Sequence, residues 1–175
     1  GLYMDSKLPI AIRNVFPEEH NFILNSWIKS GYRSKTLEPV AKEIYTLNQH
    51  EIISSLLVRS KVIVAQEINN PENIYGYICY DYIDGIFVLH YAYTKQIYRN
   101  LEIFKHLLQH AAKDNPVTGF YTHHTKVCEK IMPKLNLLYN PYLLINPKFN
   151  PMLKNPERKL IDLKLTDLTN GDQSE

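Results

Sequence analysis

The sequence predicts a mixed α/β domain built on a mostly antiparallel, twisted sheet of about six to seven strands, with helices on both faces. Three observations lead to this fold class. Short β-branched segments alternate with amphipathic helical segments along the chain. Asp84-Gly85 is a tight-hairpin signal between two such segments, so the flanking strands are antiparallel. Residues 86–93 are apolar at both odd and even positions, which is typical of a central strand covered on both faces.

Composition places the chain among ordinary globular proteins. Its 175 residues suit one domain, and 20 Lys and Arg against 18 Asp and Glu give a net charge of +2. This balance gives no electrostatic signal for nucleic acid or for an acidic membrane. Cys79 and Cys128 are too few for a disulfide framework, and we see neither an apolar run of membrane-spanning length nor a signal peptide. We therefore expect a cytoplasmic protein without membrane contact.

Turn residues divide the chain into segments. The periodic apolar pattern fills the middle, and repeated Asn-Pro dipeptides, which break regular structure, follow it. The segments are an N-terminal extension at 1–7, whose residues before Met4 are typical of an expression vector, the main domain at 8–146, an extension at 147–168 that has room for one more strand, and a disordered tail at 169–175.

The main domain begins with one strand and one helix. The strand covers Leu8 to Val15. The helix starts at Pro17, followed by two acidic residues that suit the positive end of the helix dipole. It runs to about Lys29 and ends at Ser30-Gly31, because glycine commonly terminates helices.

A second helical stretch follows a polar loop and begins at Glu38-Pro39. Val40, Ile44 and Leu47 share one face of it. Asn48, with Glu51 three residues later, resembles a capping box, so the stretch is either one bent helix or two short ones.

The rest of the domain alternates strands and helices. Its elements are strands at 61–68, 74–83 and 86–93, a loop at 69–73, a helix at 101–113, a strand at 118–122, a helix capped by Thr125 and ended by Pro133, and an edge strand at 137–145 that contains Pro141.

This element order over residues 8–146 resembles the GNAT (GCN5-related N-acetyltransferase) fold. The Tyr98-Arg99 pair, followed by an Ile-rich helix face and Leu107-Leu108, also resembles GNAT-like proteins encoded by bacteriophages. The resemblance implies an acetyl-CoA-dependent acyltransferase that acts on an amine of a small molecule or protein, by direct transfer and positioning. The other hypothesis is a catalytically inactive GNAT-fold protein that binds a macromolecular partner. A homodimer is compatible with either.

The same resemblance implies where acetyl-CoA binds. In the family, the edge of the fourth strand hydrogen-bonds the pantetheine arm, and a Gln/Arg-x-x-Gly-x-Gly/Ala loop holds the pyrophosphate through backbone amides. Arg99 matches the arginine before the first glycine of this loop, Asn100 matches that glycine and Glu102 the second. The implied binding residues are Tyr93, Thr94, Lys95, Arg99, Asn100, Leu101, Glu102 and Ile103.

The loop departs from the family pattern at two positions. Asn100 tolerates a left-handed backbone and so preserves the turn. Glu102 suits the first turn of a helix, but its carboxylate repels a pyrophosphate and fills space that a glycine leaves open. The sequence therefore predicts a degenerate acetyl-CoA loop.

His90, midway along the predicted central strand, is the candidate general base. The alternative is a core histidine satisfied by one hydrogen bond. Tyr80 is the second catalytic candidate, with Asp81 and Tyr82 beside it as further options. The resemblance places Met132 where many family members carry an acidic tyrosine, and a methionine cannot donate a proton.

Other reactive side chains carry no predicted site. His106 and His110 are four residues apart, but no third ligand follows at a recognisable spacing, so we expect no metal. His123 and His124 are neighbours that point in different directions in a strand and cannot chelate together. Cys128 reads as a packing residue rather than a nucleophile.

Overall fold

The structure is a computed structural model that describes residues 8–34, 39–95, 101–113, 117–126 and 128–145. The predicted extensions at 1–7 and 147–168 and the predicted tail at 169–175 lie outside these residues. None of the described helices is long and apolar enough to cross a membrane.

Within the described ranges, six strands form one sheet, in sequence order. The first four pair antiparallel, and β4–β5 and β5–β6 pair parallel. The strands are β1 (Ile10–Asn14), β2 (Lys61–Glu67), β3 (Asn70–Ile83), β4 (Ile86–Thr94), β5 (Gly119–Tyr121) and β6 (Leu137–Tyr139). The predicted fold class, a mixed α/β domain with a mostly antiparallel sheet, is confirmed.

Helices cover both faces of this sheet, as predicted. Short 3-10 turns lie at Pro17–Glu19, Met132–Leu135 and Pro141–Leu144. The helices are α1 (His20–Ser34), α2 (Lys42–Arg59), α3 (Glu102–Ala111) and α4 (Cys128–Ile131). The pair α1 and α2 lies on one face, and α3 and α4 lie on the other, because each pair contributes to a separate apolar core.

The two cores divide the side chains of the sheet between them. The α1/α2 core contains Trp27 and Leu56 from the helices and Tyr77, Cys79 and Tyr91 from the sheet, among other residues. The α3/α4 core is built from the other set of strand side chains together with the helices of that face, and its members include Ile63, Tyr80, Phe87, Leu89, Ile103, Leu107, Tyr121, Cys128 and Met132. Strand β4 thus has apolar contacts on both faces, as its sequence predicts.

The hairpin between β3 and β4 forms at the predicted dipeptide. Asp84 and Gly85 both have positive φ, 51° and 80°, which two-residue hairpin turns require. Further along β4 the alternation of side chains breaks. Cys79 pairs with Tyr91 but Tyr80 pairs with Leu89, so His90 is the extra residue of a β-bulge.

The bulge corrects the predicted alternation of β4. The sequence pattern placed Phe87, Leu89 and Tyr91 on one face. In the structure Phe87 and Leu89 belong to the α3/α4 core, whereas Tyr91 belongs to the α1/α2 core. One extra residue reverses the direction of every side chain that follows it, because the side-chain period of a strand is two.

The first two helices differ from the prediction in their ends. Helix α1 continues through Gly31 to Ser34. A Cβ at Gly31 would come within 2.5 Å of the Tyr45 hydroxyl, so this glycine permits close packing of α1 against α2 and does not end the helix. Helix α2 is a single helix, and Asn48 lies inside it with its side-chain amide donating to the carbonyl of Ile44.

Three further predictions are corrected. The face predicted from Ile44 and Leu47 is mostly exposed, at 57% and 68%. Strand β3 begins at Asn70, so the predicted loop at 69–73 shrinks to a turn in which Asn69 takes a φ of 65°. The last predicted strand ends at Tyr139, because the fixed φ of Pro141 suits the first turn of the 3-10 helix that follows.

Candidate functional site

β4 and β5 separate in the middle of the sheet. They pair from Phe87 and Gly119 onwards, and the amide of Thr122 donates the last bond between them to the carbonyl of Leu89, at 3.0 Å. β5 ends there, while β4 continues to Thr94. Within the described part of the chain, no strand pairs with residues 92–94 on the β5 side. The sheet therefore opens along one edge of β4.

The far end of this edge carries the first predicted cofactor residues. Tyr93 packs edge-to-face on Phe22 and stacks on Tyr77 in the α1/α2 core. Thr94 lies opposite Gly76, where an added Cβ would come within 2.3 Å of the Tyr93 carbonyl. The amide of Lys95 donates to the carbonyl of Tyr75, at 2.9 Å. Arg99 and Asn100 lie outside the described residues.

The start of α3 carries the other predicted cofactor residues. Leu101 precedes the helix with a φ of 65°, a left-handed conformation that is costly for a branched side chain. Within the described ranges, Leu101 at the N-cap makes no side-chain capping hydrogen bond. Ile103 is fully buried in the α3/α4 core and offers the site only its backbone.

Glu102 occupies the first turn of α3, as the helix dipole favours. The residue is 8% exposed, and its Oε2 lies 3.7 Å from Nε2 of His106. An acidic side chain thus stands at the helix end where an anion would bind. This geometry agrees with the departure from the family loop that the sequence shows.

His90 lies at the bulge and is 1% exposed. Its Nε2 is 2.9 Å from Oδ2 of Asp81 on β3, and its Nδ1 is 2.9 Å from Oγ1 of Thr122 at the end of β5. Ser60, at the end of α2, donates from its hydroxyl to the same Asp81 oxygen, at 2.7 Å. His90 is therefore held by two side-chain partners rather than by the single bond of a core histidine.

The hydrogen-bonded network continues beyond Thr122 to His123. Nδ1 of His123 lies 3.1 Å from the Thr122 hydroxyl, and its Nε2 lies 2.7 Å from Nε2 of Gln49 on α2. Its ring contacts Trp27 and Tyr91 edge-on, with centroids 5.3 and 6.3 Å apart. Burial of the ring and the nearby His90 lower the pKa of His123 to about 3.

Tyr80, the other catalytic candidate, lies on the opposite face of the sheet from this network. It is 5% exposed in the α3/α4 core, where its ring contacts Tyr82 and Phe87, and burial raises its pKa. The structure thus joins His90 with Asp81 and separates both from Tyr80. The catalytic roles of His90 and Tyr80 stay predictions.

A second polar cluster lies in the α3/α4 core at the same corner of the sheet. The hydroxyl of Tyr121 is 2.9 Å from Nδ1 of His124, whose Nε2 is 3.5 Å from Oε2 of Glu129. The ring of Tyr139 packs on both Tyr121 and His124. Burial, with Cys128 and two further neighbours, raises the pKa of Tyr121 to about 12. The phenol therefore stays protonated at neutral pH, and its hydroxyl is available as a hydrogen-bond donor.

The remaining sequence candidates are structural or isolated. Met132 is buried in the α3/α4 core, at the place where the resemblance puts an acid. Burial also raises the pKa of the Cys128 thiol, so this thiol is not an activated nucleophile. Among the described residues, no three His, Cys, Asp or Glu side chains cluster so as to hold a metal ion.

Sequence reasoning missed Thr122, His123 and Gln49 as site residues. His123 was considered only for chelation with its neighbour. Its link to His90 depends on the parallel pairing of β4 with β5, which brings Thr122 beside Leu89. The only sequence signal was the clustering of polar residues directly after a short apolar strand.

Comparison with known proteins gives structural likenesses alone. No family model matches the chain, and no curated protein matches it. A solved structure described as a possible acetyltransferase from Clostridium difficile 630 is 18% identical, with 82% of this chain and 93% of that one covered and a TM-score of 0.48. A GNAT-family acetyltransferase from Staphylococcus aureus Mu50 is 21% identical, with 58% and 62% covered and a TM-score of 0.42.

A third similar structure is a ribosomal-protein-alanine N-acetyltransferase from Brucella melitensis biovar Abortus 2308. It is 11% identical, with 89% of this chain and 99% of that chain covered and a TM-score of 0.43. This chain spans less than two thirds of the Staphylococcus protein. With its mixed six-stranded sheet, its helices on both faces and this order of elements, the chain has a GNAT-like fold.

Proposed function

We propose that the protein is an acyltransferase that moves an acetyl group from acetyl-CoA to an amine of a small molecule or a protein. One observation carries the proposal. The sheet opens along residues 92–94 of β4, and the uncapped start of α3 lies in the chain directly after this edge. An unpaired strand edge followed by a helix N-terminus offers hydrogen bonds to an amide-rich arm and to a phosphate group.

The donor set fits such a ligand in part. The backbone of residues 92–94 would hold the pantetheine arm, and the amides that follow Leu101 would face the pyrophosphate. Lys95 and Arg99 supply positive charge on the connecting segment, in which Arg99 and Asn100 lie outside the described residues. Glu102 opposes the phosphate charge. We therefore expect weak binding rather than none.

Acetyl-CoA supplies an activated acyl group, and the chain supplies positioning and proton handling. The amine nitrogen would bond to the thioester carbon, the carbon–sulfur bond would break with sulfur leaving as thiolate, and the proton that the new amide nitrogen loses would convert this thiolate to the thiol. An ammonium group must first lose a proton, and this loss is the step that a side chain can assist. The network of His90, Asp81 and Thr122 lies at the inner end of the opening, where β4 and β5 separate.

Titration calorimetry with acetyl-CoA tests the proposal directly. We expect measurable binding to the wild-type chain, and weaker binding after Arg99→Ala, because one charge-assisted phosphate contact is lost. Dephospho-CoA serves as a ligand control, since it keeps the pyrophosphate and the arm. Absence of binding at millimolar acetyl-CoA would overturn the proposal and leave the partner-binding hypothesis as the remaining one.

Glu102→Gln offers a sharper prediction at the same site. Removing the carboxylate removes a like charge from the helix end, so acetyl-CoA should bind about tenfold more tightly, equivalent to about 1.4 kcal/mol. Glu129→Gln is the matched control, because its side chain is 61% exposed and lies 3.5 Å from Nε2 of His124 rather than at α3. Equal affinity in both variants would show that Glu102 does not face the pyrophosphate.

A further inference from the structure

A continuous chain of hydrogen bonds crosses the α1/α2 side of the sheet. It links Gln49 to His123, His123 to Thr122, Thr122 to His90 and His90 to Asp81, with atom separations of 2.7, 3.1, 2.9 and 2.9 Å. Strands β3 and β4, the segment that directly follows β5, and helix α2 contribute to it. Each link has the length of an ordinary hydrogen bond, so a donor and an acceptor can be assigned to each one.

Donors and acceptors follow from the chemistry of its ends. The Gln49 amide nitrogen can only donate, so Nε2 of His123 accepts and the proton of this neutral ring sits on Nδ1. Nδ1 then donates to the Thr122 hydroxyl, whose own proton is left for Nδ1 of His90. The remaining proton of His90, on Nε2, points to the Asp81 carboxylate. In every one of these hydrogen bonds, the donor is therefore the group nearer Gln49 and the acceptor is the group nearer Asp81.

The middle residues of this hydrogen-bond chain are more buried than the residues at its two ends. His90 and Thr122 are 1% and 2% exposed and cannot touch a substrate. His123 is partly buried and lies where β4 and β5 part. The Asp81 side chain is 16% exposed, three residues before the hairpin turn, so it can exchange a proton with water.

We propose, on the basis of the proposed acyl transfer, that His123 takes the proton from the acceptor amine and that Thr122 and His90 relay it to Asp81. The amine proton bonds to Nε2 of His123, in the place of the Gln49 amide. The Nδ1 proton passes to the Thr122 hydroxyl, the hydroxyl proton to Nδ1 of His90, and the Nε2 proton to Asp81, which releases it to water. Because His90 and Thr122 are buried, exchange with water during local opening of this region restores the starting tautomers.

The surroundings of the relay favour onward transfer. Next to Asp81 lie the Ser60 hydroxyl, which donates to it, and the Cys79 thiol, on which the charges of Asp81 and Arg59 act in opposite directions. Around His123 are the rings of Trp27 and Tyr91, the Gln49 amide, the Thr122 hydroxyl and the backbone of His90, which also forms a hydrogen bond with the ring. Desolvation and the neighbouring His90 lower the pKa of His123, so an imidazolium is not a stable intermediate, and the proton on Nδ1 must leave as the amine proton reaches Nε2.

Thr122→Val and Thr122→Ser test the relay, because valine matches threonine in shape without the hydroxyl and serine restores it. The probes are acetyl-CoA with ethylamine, which is protonated at neutral pH, or with trifluoroethylamine, which is largely neutral. We expect Thr122→Val to lower kcat for ethylamine about a hundredfold and to leave kcat for trifluoroethylamine within about twofold. Thr122→Ser should recover most of the ethylamine rate, with an unchanged KM for acetyl-CoA.

Nitrogen-15 NMR of the histidine rings gives a readout that does not depend on turnover. We expect the proton of His123 on Nδ1 and that of His90 on Nε2 in the wild-type chain. Equal loss of both amine activities in Thr122→Val, or the opposite ring tautomers, overturns the relay. If the wild-type protein turns over neither amine, the ring tautomers of His123 and His90 alone decide whether the relay stands. Failure of wild-type acetyl-CoA binding in calorimetry would instead overturn the proposed function itself.

Discussion

His123 and His124 are neighbours in sequence, yet they belong to different faces of the sheet. His123 meets Gln49 of α2 and the Thr122 hydroxyl beneath the α1/α2 helices. His124 meets the Tyr121 hydroxyl and Glu129 on the α3/α4 side, where the Glu129 side chain is 61% exposed. One position along the backbone thus separates a partly buried imidazole in an internal hydrogen-bonded network from one that contacts an exposed carboxylate.

This contrast shows that the hydrogen-bond partners and solvation of a histidine here depend on the face of the sheet to which its side chain belongs. Desolvation keeps His123 neutral, whereas burial keeps the Tyr121 phenol protonated on the other side. On our proposal, the opening between β4 and β5 therefore has a proton acceptor on one face and a hydrogen donor on the other. Environments that push titratable groups apart in this way are a common feature of acid–base sites.

Among these substitutions, Trp27→Ala should have the largest effect on stability and on the surroundings of His123. The indole is fully buried, stacks on Tyr91 with centroids 4.7 Å apart and backs the His123 ring. We expect a loss of about 4 kcal/mol in the free energy of unfolding, measured by denaturant titration, because a large cavity remains. Ring signals of His123 should shift, while those of His124 should not.

Trp27→Phe is the matched control for that substitution. It keeps an aromatic ring and removes an indole N–H that has no hydrogen-bond partner among the described residues. Its cost should be clearly smaller than that of the alanine variant, because phenylalanine leaves a smaller cavity. A loss as large as that of the alanine variant would mean that the indole N–H stabilises the fold through a partner.

His123→Gln and His124→Gln compare the two neighbours directly. The pKa of His123 is about 3 in the folded protein against an ordinary value of 6.5, so the unfolded chain binds the proton more readily. Stability is therefore lost as pH falls from about 6.5 towards 3, by on the order of 3 kcal/mol at pH 4. We expect His123→Gln to remove this part of the acid sensitivity and His124→Gln to keep it.

Denaturant titrations at pH 7.5 and pH 4 measure the effect as a difference between variants. Other carboxylates also lose stability in acid, among them Glu19 and Glu67, whose pKa values are lowered in the fold. Their contribution is common to all variants and cancels. Parallel curves for wild type and His123→Gln would contradict the assignment of a neutral, desolvated ring.

The fold class and most strands could be predicted from the sequence, because each depends on local patterns. The apolar run of 86–93 and the Asp84-Gly85 turn identified the central hairpin without tertiary information. The end of α1 could not be predicted, because Gly31 serves a contact with Tyr45 on another helix. Glycine has the same appearance in a sequence whether it ends a helix or admits a neighbour.

The sequence identified single residues of the candidate site but not the contacts between them. His90 was identified from its chemistry and its place in a central strand. Its partners depend on a bulge that turns its side chain and on a parallel pairing that brings Thr122 beside it, 32 residues away in sequence. Neither feature leaves a periodic signal, so the relay becomes visible only in three dimensions. Arg99 and Asn100, the centre of the predicted cofactor loop, stay a prediction.

Tyr121→Phe probes the His124 side and should have the smallest effect. It removes one hydrogen bond of 2.9 Å to Nδ1 of His124, so we expect a loss of about 1 kcal/mol at neutral pH.

The pKa of Tyr121 is raised to about 12 in the fold, mainly by burial. Its contribution is therefore present below pH 10 and is lost as pH rises from 10 to 12, because only the unfolded chain ionises there. The variant should show a shallower alkaline decline than the wild type in denaturant titrations. Tyr139→Phe, at a residue that is 42% exposed, is the control and should change this slope less. Equal slopes in all three proteins would mean that the Tyr121 phenol is solvated, and that the two faces differ less than their hydrogen bonds indicate.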